Sequence, residues 1–485
     1  MAGISATAGY VPRYRLNRSL IFQAMGWMNP GNAANARGEK AVANFDEDSL
    51  TMAAAAGAGA LAGSDASAVG GVYLASTTLP YRERLNAAIL TAALGLEDQV
   101  RAADFTGGLK AGTTALLAAL DAVGSGASPS ILVCASDCRL GRPASAQELV
   151  FGDAAAALLV GDRDVIADFK GGYSLTCDFG DHCRGESARF DRQWEERWIR
   201  DQGYDQFLPQ AIQGLLGKCG LKITDFARVV YPCHFPAARS SINKKLGIRP
   251  EADQPALQAE VGDSGTAHPL VMMVRALEES KPGDRILLAS FGSGCDALCF
   301  EVTPAIEKAR ANGGISASLA RRASLDNYTK YLVWRDILPA ELGLRAEEDL
   351  WTRWSLLWRK RKDVLGLWGT RCRRCATPQY PSQRVCVHPD CGAIDEMEPY
   401  RFSDKLGRIA SYTGDMLAAS YNPPAIYGQV QFEGGGKYMF DFTDCDLDDL
   451  AVGTPVSMSF RRKYLDKRRD ISGYFWKAVP LQEEK

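Results

Sequence analysis

The chain has 485 residues, 46% hydrophobic and 24% charged, with a formal net charge of -2. That length holds two or three domains, and the balanced charge gives no support to bulk nucleic-acid or membrane binding. No apolar run reaches the roughly 20 residues that span a bilayer. The opening MAGISATAGYVPRYRL lacks the basic-then-apolar order of a secretory leader, so a cytoplasmic chain is expected.

Residues 1–305 alternate short apolar runs with Ala-rich helical stretches. GGVYLAS (70–76), SILVCASD (130–137), ARVVYPC (227–233) and DRILLASFGSG (284–294) read as strands buried on both faces, as in a layered α/β core. VYLAS and VVYPC are each followed roughly 60 residues later by a second such run, which hints at two related halves. Residues 306–365 are helical and charged. Within EEDLWTRWSLLWRKRKDVLGLWG (347–369), Trp351, Trp354, Leu357 and Trp358 recur at helical spacing. This predicts an amphipathic connecting helix packed on a domain face, with RKRK (359–362) as its solvated side or a contact for anionic phosphate.

Four of the 13 cysteines cluster in CRRCATPQYPSQRVCVHPDC (372–391). Cys372 and Cys375, then Cys386 and Cys391, suit tetrahedral thiolate ligation of a structural Zn2+. The second knuckle is wide, which leaves His388 as an alternative ligand there. The other cysteines are scattered singly, as free thiols in a reducing compartment are. Residues 400–480 alternate in short runs with Gly turns, predicting a small β-barrel. FRRKYLDKRRD (460–470) is a basic patch, but acidic DCDLDDL (444–450) lies close by, and neither a nucleic-acid partner nor a membrane is expected.

Residues 1–305 resemble the thiolase superfamily, in particular its 3-hydroxy-3-methylglutaryl-CoA synthase branch. The matching stretches are GYVPRYRL (9–16), VYLASTTLPY (72–81), GLKAGTTAL (108–116), FGDAAAALLVG (151–161), HFP (234–236) and KPGDRILLASFGSG (281–294). Residues 347–480 resemble the zinc-ribbon plus OB-fold proteins that accompany such enzymes. The resemblance implies an α/β, thiolase-like, five-layered αβαβα core of two related halves (1–165 and 166–305). A helical linker (306–365), a zinc ribbon (366–399) and an OB-fold barrel (400–485) follow, and the core is expected to form a homodimer. It also implies a Glu acid/base, a Cys nucleophile and a His on the thioester carbonyl. The His falls on His234, whereas the Glu position holds Thr77 and the Cys position holds Leu109.

A leucine cannot form an acyl-enzyme. The expected function is therefore an acyl-CoA-dependent aldolase or retro-aldolase acting on a 3-hydroxyacyl-CoA, similar in logic to thiolase-like steroid side-chain aldolases. Such a reaction needs a base for the hydroxyl proton and stabilisation of the enolate, with coenzyme A as substrate carrier. Three alternatives stand beside it. One is a hydroxymethylglutaryl-CoA synthase-like or thiolase-like acyltransferase with a displaced cysteine, Cys295 or Cys233. The others are a non-catalytic acyl-CoA-binding scaffold and a 3-oxoacyl-CoA hydrolase. Candidate bases are His234, Asp263, His268, Tyr73 and Tyr81, with Asp263 standing where the family often has Asn. Asp153 reads as a turn and hydrogen-bond residue. Gly292 and Gly294 allow close backbone approach to the substrate, and Lys244, Lys245 and Arg239 are candidate contacts for the phosphates of coenzyme A.

Overall fold

A computed structural model describes residues 2–309, 314–347 and 350–481. The chain forms two compact units: Met1–Ala43 with Asp48–Ala88 and Asp98–Tyr331, and Asn44–Glu47 with Ile89–Glu97 and Leu332–Lys485.

The first unit is built on nine hydrogen-bonded strands. They are β1 (Gly3–Tyr10), β2 (Gly71–Ala75), β3 (Arg101–Phe105), β4 (Ser130–Asp137), β5 (Ala154–Gly161), β6 (Ala167–Thr176), β7 (Arg228–Val230), β8 (Arg285–Phe291) and β9 (Gly294–Val302), in the order β7-β8-β9-β6-β1-β5-β4-β2-β3. Two halves follow one plan. In the first, β2 and β4 are parallel, and β4–β5 and β5–β1 are antiparallel. In the second, β7 and β8 are parallel, and β8–β9 and β9–β6 are antiparallel. The halves meet where Gly3 and Ile4 pair with Asp168 and Ala167. The faint repeat in the sequence thus has a counterpart: the VYLAS strand pairs with ILVCAS as the RVV strand pairs with ILLASF.

Helices α1 (Ser49–Leu61), α2 (Ala111–Gly124), α3 (Leu208–Cys219), α4 (Pro236–Leu246) and α5 (His268–Glu279) cover these strands. Alternation along each strand divides two cores. Ile131, Val133 and Ala135 of β4, Ile286 and Leu288 of β8, and Leu298 and Phe300 of β9 share one core with α2 and α5. Leu287, Ala289, Cys295, Ala297 and Cys299 face the other, with α3 and α4. Burial on both faces is why these strands read as unbroken apolar runs. Helix α5 buries nine of its residues, so its sequence is apolar nearly all round. Asp48 caps α1 reciprocally with Thr51: the Asp48 carboxylate accepts from the Leu50 and Thr51 amides, and Thr51 Oγ1 accepts from the Asp48 N–H.

In the second unit, β10 (Trp368–Cys372), β11 (Pro378–Gln379) and β12 (Met397–Arg401) form a small antiparallel sheet beside the four cysteines. Strands β13 (Gly407–Asp415), β14 (Ala425–Phe432), β15 (Lys437–Asp441), β16 (Pro455–Asp466) and β17 (Ile471–Pro480) follow in the sheet order β15-β14-β13-β16-β17. The ends approach through a Phe442–Ala478 bridge, so the sheet curls towards closure. The unit also holds a buried charge cluster. Arg461 pairs with Glu47 at 2.6 Å, Asp46 at 3.4 Å and Asp444, and Lys477 pairs with Asp46 at 2.9 Å.

The connecting helix departs from expectation. It is two short helices, Trp354–Arg359 and Arg361–Leu365, neither with a buried residue. Trp351, Trp354 and Trp358 are exposed, and Arg469 and Arg361 stack on Trp351 and Trp358. Helical spacing marks an apolar stripe but does not say that anything covers it. No helix of the described residues is long and apolar enough to cross a membrane.

Candidate active site

Side chains from several segments gather at the C-terminal ends of the parallel strands, where open α/β sheets place their ligands. Leu109 lies in the turn between β3 and α2, Arg139 two residues beyond β4, and His234 in the loop between β7 and α4. Together with Phe151, Tyr204, Asp191, Asp263, His182 and Arg192 they line a cavity of about 20 Å³. In this conformation it has room for about one water-sized group.

His234 and Asp263 form the centre. Their Nδ1 and Oδ2 are 3.9 Å apart. Burial pushes the His234 pKa down, with Asp263 opposing, so the imidazole is neutral at physiological pH. Tyr204 meets its ring edge-on at 6.0 Å. The Gln258 amide fixes the His234 backbone, its oxygen accepting from the His234 N–H at 3.0 Å and its nitrogen donating to the Cys233 carbonyl. Asp263 is held by backbone pairing with the Val150–Gly152 segment. Its Oδ1 accepts from the Gly265 N–H at 3.0 Å and its Oδ2 faces Arg139 at 3.4 Å. Burial works against the charge, but Arg139 and both histidines outweigh it and hold the carboxyl at about 2.

Arg139, Arg184, Asp191 and Asp181 were not singled out from the sequence. Arg139 Nε donates to Asp191 at 2.8 Å, and Arg184 donates to the other Asp191 oxygen at 2.7 Å and to the Thr77 carbonyl. Charged residues immediately after a buried strand, in SDCRLGRP, were the available clue to Arg139.

Several expected site residues lie elsewhere. Cys295 is fully buried on the opposite face of β9, its Sγ donating to the Asp296 carbonyl, and burial raises its pKa. Cys233 is buried in the same core, its thiol pushed up to about 12 by burial. His268 spends both ring nitrogens, Nδ1 accepting from the Ser264 N–H and Nε2 donating to the Ala256 carbonyl, so it is no base for the cavity. Tyr73 packs on Phe105, and Tyr81 lies under Arg84; neither lines the cavity. Arg239 is consumed by Asp253, the Tyr231 carbonyl and the Gln254 carbonyl. Lys245 donates to the Asp205 carbonyl, and Lys244 is exposed on α4. A Cβ on Gly292 would come within 2.8 Å of the Leu109 and Lys110 amides, so this glycine lets two loops meet. Gly294 instead abuts Leu175 across the β6–β9 pairing. Asp153 accepts from the Ala43 N–H, a structural role. Thr77 donates to Asp137, which also accepts from Ser76, Thr78 and the Thr266 amide.

The four cysteine sulfurs all lie within 4.8 Å of one another, with Cys372–Cys391 at 3.8 Å and Cys375–Cys386 at 3.4 Å. Thiolates about 2.3 Å from a tetrahedral ion are about 3.8 Å apart, so the set fits a metal. His388 stands outside it, its Nδ1 accepting from the Asp390 N–H.

No family model matches the chain. A hydroxymethylglutaryl-CoA synthase from Pyrococcus furiosus is 31% identical over 338 residues, covering 68% of this chain and 94% of that protein. The chain belongs to the hydroxymethylglutaryl-CoA synthase family. The enzyme of that name from Methanosarcina mazei is 32% identical over 342 residues, covering 68% of this chain and 96% of that protein. Among solved structures, MvaS in complex with 3-hydroxy-3-methylglutaryl coenzyme A matches with a TM-score of 0.62 at 23% identity, over 72% of this chain and 94% of that one. The 3-oxoacyl-[acyl-carrier-protein] synthase III of Aquifex aeolicus matches with a TM-score of 0.53 at 20% identity, over 62% and 100%. These likenesses fix the fold as thiolase-like α/β. In this member of the hydroxymethylglutaryl-CoA synthase family, Leu109 and His234 line the same cavity and no cysteine is among the lining residues.

Proposed function

We propose that the chain binds an acyl-CoA thioester and performs carbon–carbon bond chemistry at the His234–Asp263 cavity without a covalent acyl-enzyme. The supporting observation is the cavity wall: Leu109 shares it with His234 and Asp263, and no cysteine is among its lining residues. In the retro-aldol direction neutral His234 takes the proton of the substrate 3-hydroxyl. The hydroxyl oxygen becomes a carbonyl as the Cα–Cβ pair passes to the thioester as an enolate. The imidazolium then returns the proton to Cα, releasing acyl-CoA and an aldehyde or ketone. A backbone N–H at the Leu109 turn, at the N-terminal end of α2, is the candidate donor to the enolate oxygen. Of the candidates for the phosphates of coenzyme A, Lys244 remains exposed, and exposed Arg192, which lines the cavity, is a further one.

A second reading is favoured by the names of the relatives: acyl transfer of the synthase type, with a displaced cysteine. It requires Cys295 or Cys233 to leave the core in which each is buried. Turnover of a 3-hydroxyacyl-CoA panel, with and without His234→Ala, tests the first reading. Loss of carbonyl release in the variant is expected, and full turnover without His234 overturns the assignment. Acyl-CoA binding with no turnover in either protein favours a scaffold instead, and release of free coenzyme A from a 3-oxoacyl-CoA favours a hydrolase.

For the second unit, we propose that Cys372, Cys375, Cys386 and Cys391 hold a structural Zn2+, which would close this small ribbon without an open coordination position. The five-stranded sheet is read as an OB-like barrel, the first unit as the five-layered thiolase core, and the assembly as a homodimer through that core.

A further inference from the structure

Arg139 is 4% exposed. Burying a guanidinium is unfavourable unless carboxylates compensate it, and here two do, Asp191 at 2.8 Å and Asp263 at 3.4 Å. Its guanidinium also lies 3.8 Å over the Phe151 ring. Gly265 makes the arrangement possible. Its φ is +56°, and a Cβ there would fall 2.7 Å from Arg139 Cδ and 2.6 Å from Asp137 Oδ2. Its N–H donates to Asp263 Oδ1. The two Asp263 oxygens are therefore divided, Oδ1 on the backbone and Oδ2 between Arg139 and His234 Nδ1.

We propose that Arg139 is a positioning residue of this site: it fixes Asp263 against His234, so that the imidazole carries its proton on Nδ1 and turns an unprotonated Nε2 towards the substrate. This deepens the acyl-CoA reading and rests on it for its use. The geometric claim itself needs no substrate. The charged groups acting on His234 are Asp263, Arg139, Glu196 and Asp181, and Tyr204 packs on its ring. A carboxylate facing Nδ1 selects the Nδ1–H tautomer, the second nitrogen's state being set by what the first one meets.

The chain has four histidines, so the full-length protein labelled with ¹⁵N-histidine gives a spectrum assignable with H182Q, H268Q and H388Q. For wild type, His234 is expected as a single Nδ1–H tautomer near neutral pH. D263N should lose that preference and lower the His234 midpoint. R139Q should raise the midpoint by about half a pH unit or more, since a neighbouring cation is removed, and R139K, which keeps the charge, should hold it near wild type. A wild-type Nε2–H tautomer overturns the proposal. So does a folded R139Q with tautomer and midpoint unchanged, or an R139K that shifts as far as R139Q. If R139Q fails to fold, the wild-type tautomer and its response to D263N still decide. Absence of acyl-CoA turnover would refute the functional reading and leave these spectra unaffected.

Discussion

Replacing Asp263 by Asn keeps the shape and the Gly265 contact but removes one charge from the Arg139 cluster. The carboxyl is held from its ordinary 3.8 down to about 2. That displacement corresponds to about 2 kcal/mol of folded-state stability, at ~1.4 kcal/mol per tenfold in the ionisation equilibrium. Because the folded pKa is depressed, this stabilisation is fully present above pH ~4, the unfolded value, and is lost as pH falls through about 2. Urea unfolding of wild type and D263N at about pH 7, 5 and 3 reads the difference. Wild type is expected to exceed the variant by about 2 kcal/mol at the two higher values, with the gap closing at the lowest. A gap that is absent, or that is constant down to pH ~3, refutes the claim that the cations around it hold Asp263 ionised.

In the second unit, Arg461→Ala leaves Asp46, Glu47 and Asp444 short of their shared cation and should destabilise by about 3–5 kcal/mol in denaturant titration; a loss under about 1 kcal/mol would make the cluster dispensable. Gly265→Ala places a side chain at positive φ against Arg139 and Asp137, so a loss of about 1–3 kcal/mol in thermal unfolding is expected, together with altered ¹⁵N signals from His234. Purified protein should carry about one zinc per chain by elemental analysis, and Cys372→Ser should lower both zinc content and melting temperature. Zinc-free wild type of unchanged stability would count against the thiolate site.

Much of the fold was legible because the strands are buried on both faces. SILVCASD predicts a strand over 130–137, and Ser130–Asp137 is one. The cysteine cluster was legible because its four cysteines sit close in sequence. The charge network was not: Arg139, Asp191 and Asp263 come from three distant segments, and pairing at such separation leaves no periodic trace. The placement of Cys295 was not legible for a different reason. Period-two alternation through GCDALCFEV puts residues 295, 297 and 299 on one face, and only packing says that this face meets α3 and not the Leu109 turn. The Trp stripe at 351–358 shows the same limit, since spacing describes a surface and not its neighbour.

The most direct test of chemistry without an acyl-enzyme is intact-mass analysis of the full chain incubated with acetyl-CoA and propionyl-CoA, with carbonyl release from 3-hydroxyacyl-CoA followed in parallel. Unmodified protein that nonetheless turns over the 3-hydroxyacyl-CoA is the expected result. An acyl group mapped to Cys295 or Cys233 would contradict it and establish a displaced nucleophile.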